Sequence, residues 1–241
     1  MTDTVTRTEQ PAERTGGLAQ RLNWLRAGVL GANDGIVSTA AVVVGVAGAT
    51  TQIGPIVTAG LAAVVGGAVS MALGEYVSVS SQRDSERSLI EAERTALTAD
   101  PDGARDRLAR SYEARGISPA TARKVAADLT ARDPLGALLR ARHNIDPDDV
   151  VSPWHAALAS AVSFLAGAVL PMLAILLPPE PVRVPVTFVA TLAALALTGT
   201  LAAWIGGGSR ARAATRVVVG GALALAATFL VGSLLGTAGV V

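Results

Sequence analysis

The amino-acid sequence predicts an all-α membrane protein of five transmembrane helices, with a cytoplasmic helical insert between helices two and three. Three observations carry this expectation. Apolar residues make up 51% of the 241 and gather in long blocks near 27–49, 54–82, 154–177, 184–206 and 213–236. Each block meets the roughly 20 helical residues that cross a bilayer. Residues 83–150 are the opposite: they hold 13 of the 19 acidic and 12 of the 20 basic residues. Lastly, the basic residues of the short segments fall on one predicted side, apart from Arg183, which is matched by Glu180.

Taken in order, residues 1–20 are polar and mixed in charge, without the apolar core of a signal peptide, and read as a disordered cytoplasmic tail. Residues 21–82 form spans one and two, 83–150 the insert, and 151–241 spans three to five. Arg14, Arg21 and Arg26 precede span one, and Arg210, Arg212 and Arg216 fall in the link between spans four and five. The link from Thr50 to Pro55 is uncharged, and the link from Pro178 to Pro185 holds one arginine and one glutamate. By the positive-inside rule the N-terminus and the insert are cytoplasmic and the C-terminus is outside.

Within the insert, Asp100-Pro101, Ser118-Pro119 and Asp133-Pro134 each pair a capping side chain with a first-turn proline. Ser152-Pro153 does the same for span three. Helices are expected over 83–98, 101–115, 119–131 and 134–143, with Gly116 as a stop. No Gly or Pro interrupts 77–97, so span two should continue into the insert as one helix. Small residues in the spans, among them Gly66, Gly67, Gly74, Gly167, Gly220 and Gly221, suit close helix packing in lipid.

Composition excludes several functions. A net charge of +1 gives no bulk attraction to nucleic acid. With no cysteine there is neither a disulfide nor a thiolate metal site. No His-Glu-x-x-His, nucleophile elbow or phosphate loop is present, so no enzyme is expected. Nineteen of the 20 basic residues are arginine, which with abundant alanine resembles the codon bias of a GC-rich bacterium. The expected location is a bacterial inner membrane.

One residue breaks the apolar pattern. Asp34 lies in the run Gly31-Ala-Asn-Asp-Gly-Ile-Val-Ser-Thr39, inside span one. A carboxylate at that depth costs about 3 kcal/mol or more, so it marks a site for a cation or proton. Asp34 lies 16 residues before Thr50, and Met71 lies 16 residues after Pro55. In a helical hairpin both are about 24 Å from the loop and share a depth. Glu75 is one turn beyond Met71 on the same face. Asn33, Ser38 and Ser70 add oxygens nearby. Carboxylate oxygens suit hard or borderline divalent ions, and a thioether shifts preference toward softer first-row metals. Structural alternatives exist for each: Asp34 as the cap of a helix broken at Gly35, Met71 as packing, Glu75 as a partner of Arg26 or Arg83. His155, beside Trp154, marks the membrane interface.

Three stretches resemble the vacuolar iron transporter family in its bacterial form. They are Leu25-Arg-Ala-Gly-Val-Leu-Gly-Ala-Asn-Asp-Gly-Ile-Val-Ser38, Gly67-Ala-Val-Ser-Met-Ala-Leu-Gly-Glu-Tyr-Val-Ser-Val-Ser-Ser-Gln82, and the run from Ser152 to Pro171. The last two spans match in hydropathy and number alone. The resemblance implies a homodimer of five-span subunits in the lipid bilayer. It would export ferrous iron or manganese from the cytoplasm, by antiport with protons and without a resident cofactor. Asp34 and Met71 would line the path between subunits. A further span-two glutamate of some relatives is Ala63 here, and Glu75 would supply that charge.

The family's insert binds metal through glutamates and methionines. Here Glu93 alone survives, as a residual, weak ligand. The other expected positions are Ala96, Ala104, Arg107, Leu138, Leu139 and Arg142. The insert is therefore expected not to store metal. The rival reading is a degenerate member that serves as a membrane scaffold or sensor without transport. The loop charges make one direct prediction: a C-terminal reporter that works only in the cytoplasm should be silent, and a strong signal from it would overturn the five-span topology.

Overall fold

The computed structural model describes residues 15–146 and 152–238. Residues 1–14 of the expected tail lie outside these, as does Val241 at the C-terminus. Among the described residues there are eight helices and no strand. They are α1 (Thr15–Ala49), α2 (Ile53–Ala99), α3 (Pro101–Glu113), α4 (Pro119–Thr130), α5 (Pro134–His143), α6 (Pro153–Leu176), α7 (Glu180–Ile205) and α8 (Arg210–Thr237). Five of them, α1, α2, α6, α7 and α8, are long and apolar enough to cross a membrane.

Local chemistry explains the ends. The carboxylates of Asp100 and Asp133 accept from the backbone N–H of Gly103 and Gly136, both at 2.9 Å. Ser118 accepts from Thr121 N–H at 3.4 Å. These caps satisfy donors that the helix leaves free, and each is followed by proline at N1. α3 closes at Glu113, two residues before the expected end, and Gly116 takes up the reversal at φ 91°. α5 ends on Asn144 at φ 55°, a left-handed position that asparagine tolerates. α2 runs unbroken for 47 residues, about 70 Å.

Three expectations need correction. α1 begins at Thr15, within the segment read as a tail. α7 begins at Glu180, so Glu180 and Arg183 lie in its first turn and not in a loop. Pro181 is tolerated there because a first-turn residue donates no helical hydrogen bond. α8 begins at Arg210, which puts Arg210, Arg212 and Arg216 on a helix and leaves 206–209 as the link.

The chain divides into two compact units, Met1–Val69 with Ser160–Val241, and Ser70–Ala159. The first is built around α1. Ala40 and Val44 of α1 are buried with Leu225 of α8, against Val184, Phe188 and Leu192 of α7. Val43 is buried with Ile56 of α2 and Ile175 of α6. At two places backbone meets backbone. A Cβ on Gly35 would overlap the carbonyl oxygen of Phe164, and one on Gly167 would overlap that of Ala32. A Cβ on Gly232 would overlap the carbonyl oxygen of Gly45. Among the small residues singled out from the sequence, Gly67, Gly167 and Gly221 sit against neighbours, while Gly66, Gly74 and Gly220 face open space. Large apolar side chains such as Val189 and Leu197, each 70% exposed, cover the outside, as a lipid-facing surface requires.

The second unit centres on α3, α4 and α5. Its core is Ala104, Leu108, Ala109, Ala126, Ala137, Leu138 and Ala141, with Leu97, Tyr112 and Leu129 packed on it. In the same unit the rings of Tyr76 and Trp154 lie 4.8 Å apart, joining α2 to the start of α6.

The glycine contacts separate two substitutions of the same kind. Gly35→Ala has no room beside the Phe164 carbonyl and should cost about 1–3 kcal/mol by overpacking. Gly66→Ala enters open space and should be neutral or slightly stabilising, by up to about 1 kcal/mol of helix propensity. Thermal melting of both variants in detergent measures the difference.

Candidate metal site

Asp34 sits in the middle of α1, and the helix is continuous through it. It therefore does not cap a break at Gly35. Its side chain is half-buried, and its Oδ1 accepts from the Ser38 hydroxyl at 2.7 Å, one turn along the same helix. The residues on either side face packed neighbours. Asn33 Oδ1 accepts from Thr198 Oγ1 of α7 at 3.2 Å. Gly35 lies against the backbone of α6, and a Cβ on Gly31 would come 3.0 Å from Ser163 Cβ of the same helix. Successive helical residues project about 100° apart, so Asp34 points between the sides occupied by α7 and α6. Leu30, one turn before it on that face, is 64% exposed.

Met71 and Glu75 lie one turn apart on α2, in the second unit, and both are half-buried. Among the described residues Glu75 has no ion pair with Arg83, and the side chain of Arg26 lies outside the described ones. No three His, Asp or Glu side chains converge closely enough to hold a metal among the described residues.

Glu93 is a different kind of site. It is a buried charged residue, 5% exposed. Its Oε1 accepts from Arg142 Nη1, and His143 Nε2 lies 3.0 Å from the same oxygen. Arg142 and His143 end α5, so the cluster fastens α5 to α2 within the second unit. Three positions where the resemblance led one to look for ligands belong to the interior: Ala104, Leu138 and Leu139 are fully buried. Arg107 keeps one terminal nitrogen buried without a partner. His143 was missed in the sequence because it lies 50 residues from Glu93, and no local spacing links them.

The charge of Arg142 is what makes a buried Glu93 tolerable. Arg142→Ala leaves the carboxylate with His143 alone and should cost about 1–3 kcal/mol, less than a fully buried pair because the arginine side chain is 34% exposed. Exchanging both residues for leucine should restore stability. Hydrogen exchange over 134–143 in the full chain should quicken in the single variant and return toward wild type in the double one.

Comparison with known proteins places these features. A profile of the VIT family matches residues 25–233. A vacuolar iron transporter of Acanthamoeba castellanii is 40% identical over 88% of this chain and 78% of its own length. Vacuolar iron transporter homolog 1 of Oryza sativa is 37% identical over 91% of this chain and 77% of its own. Vacuolar iron transporter homolog 2 of Arabidopsis thaliana is 34% identical over 92% and 89%. Five apolar helices, an aspartate within the first and a match over most of its length establish that the chain belongs to the VIT family of membrane transporters, which are not enzymes.

Proposed function

We propose that the protein moves ferrous iron or manganese out of the cytoplasm across a membrane, in exchange for protons. One observation carries the reading: a half-buried carboxylate, Asp34, in the middle of an apolar helix, with a hydroxyl of its own helix as its partner. Such a group is expensive in lipid unless it faces a polar path. The names of the relatives point to iron, and the oxygen-rich donor set with the thioether of Met71 suits iron and manganese alike.

Met71 and Glu75 are proposed as further ligands, on the depth argument from the hairpin. The exposure of Leu30, one turn from Asp34, supports a homodimer in which a second copy brings its own aspartate to the path, since a two-fold axis doubles the donors. The insert is proposed to lie in the cytoplasm, on the charges of the neighbouring segments. With Glu93 occupied by Arg142, it is proposed to act in shape and not as a metal store.

Proteoliposomes loaded with a metal-sensitive dye test the reading. Wild-type protein should carry Fe2+ or Mn2+ and move protons the other way. Asp34→Asn keeps the shape and removes the charge, and should reduce flux at least about tenfold, the factor that 1.4 kcal/mol represents. Met71→Leu should slow transport less and change the ratio of the two metals. Full flux in the Asp34→Asn protein would refute the assignment.

A further inference from the structure

We propose that Thr198 of α7 is a positioning residue for the ion site, acting through Asn33 to set the direction of the Asp34 carboxylate. The inference rests on the transport reading above. Asn33 and Asp34 are consecutive on α1, so whatever fixes one fixes the other, about 100° around the axis. The Asn33 amide is fixed by a hydrogen bond from a different helix, Thr198 Oγ1 to Asn33 Oδ1 at 3.2 Å. In hydrocarbon the amide has no water to turn to, so the loss of this partner leaves it unsatisfied.

Other hydroxyls of α7 and α8 behave differently. Thr200 donates to Ala196 O at 2.6 Å, Thr187 to Arg183 O at 2.7 Å and Ser233 to Phe229 O at 2.6 Å. Each closes on its own helix, as serine and threonine commonly do. Thr198 also has a carbonyl of its own helix in reach, Leu195 O, but at 3.2 Å, the same distance as the Asn33 oxygen. A hydroxyl has one proton, so the two acceptors compete for it. The bond to α1 can be made or released without leaving Thr198 unsatisfied. When the bond is released the donor keeps a partner on its own helix, and the cost falls on the Asn33 amide alone.

The rest of α1 makes the contact effective. Gly31 and Gly35 press against Ser163 and Phe164 of α6. With Asn33 held from α7, this turn of α1 is held on two sides, and Asp34 projects between them. α6 and α8 still hold the helix when the hydroxyl is removed, but the turn that carries Asn33 and Asp34 loosens on its α7 side, and the carboxylate then meets the ion less often in the right direction. The loss should show as weaker metal binding rather than slower turnover.

Thr198→Val removes the hydroxyl at nearly constant shape, and Thr198→Ser keeps it. In proteoliposomes Thr198→Val should raise the apparent KM for Mn2+ about three- to tenfold, the range expected from one hydrogen bond between membrane helices, with the maximal rate within about twofold. Thr198→Ser should restore the wild-type KM, and Thr198→Val should add nothing to Asn33→Leu. A KM for Thr198→Val within twofold of wild type, or a Thr198→Ser variant as impaired as Thr198→Val, would overturn the proposal. The Asp34→Asn control separates the two readings. If it abolishes flux while Thr198→Val is normal, the positioning role falls and the transport reading stands. If Asp34→Asn transports at full rate, the transport reading falls first and this proposal with it.

Discussion

The first unit depends on how closely its helices can approach α1. Lipid tails are as apolar as leucine, so burial of apolar surface gives membrane helices little reason to associate. What remains is dispersion at short range, and it grows as backbones draw together. Gly35 and Gly167 allow this toward α6, and Gly45 and Gly232 toward α8. The reach of every other side chain on α1 follows from those contacts. Asn33 meets Thr198 because α7 lies near enough, and Asp34, half-buried, falls between the sides that face α7 and α6.

The second unit solves a different electrostatic problem. A carboxylate in a helical core needs a counter-charge, which can be a metal ion or a side chain. In this chain Arg142 supplies it, with His143 on the same oxygen. The apolar core beside it contains Ala104 and Leu138, at positions where the resemblance led one to look for ligands. A methyl or isobutyl group at those positions contributes to the core without asking for an ion.

Much of this was legible in the sequence, because membranes and helix caps impose local rules. The apolar blocks, the Asp-Pro and Ser-Pro caps and the unbroken α2 each depend on residues within a few positions of one another. Asp34 stood out for the same reason, as a charge in an apolar run. Other features depend on partners far apart in the chain. Thr198 is one hydroxyl among several on α7, and its distance of 165 residues from Asn33 leaves no pattern to read. Prolines near 179–185 suggested a loop, yet Pro179 caps α7, Pro181 sits in its first turn, where a helix accepts it, and Pro185 lies inside the helix. Glycines were easy to count but not to rank: Gly66 and Gly67 are adjacent, and only the second meets a neighbour, the ring of Phe164.

The ion pair of Glu93 has a consequence for how the protein meets scarcity. A fold held together by a bound metal comes apart when a chelator removes it. Here the cation at Glu93 is covalently part of the chain. The contact that fastens α5 to α2 needs no bound ion, so a chelator leaves it in place.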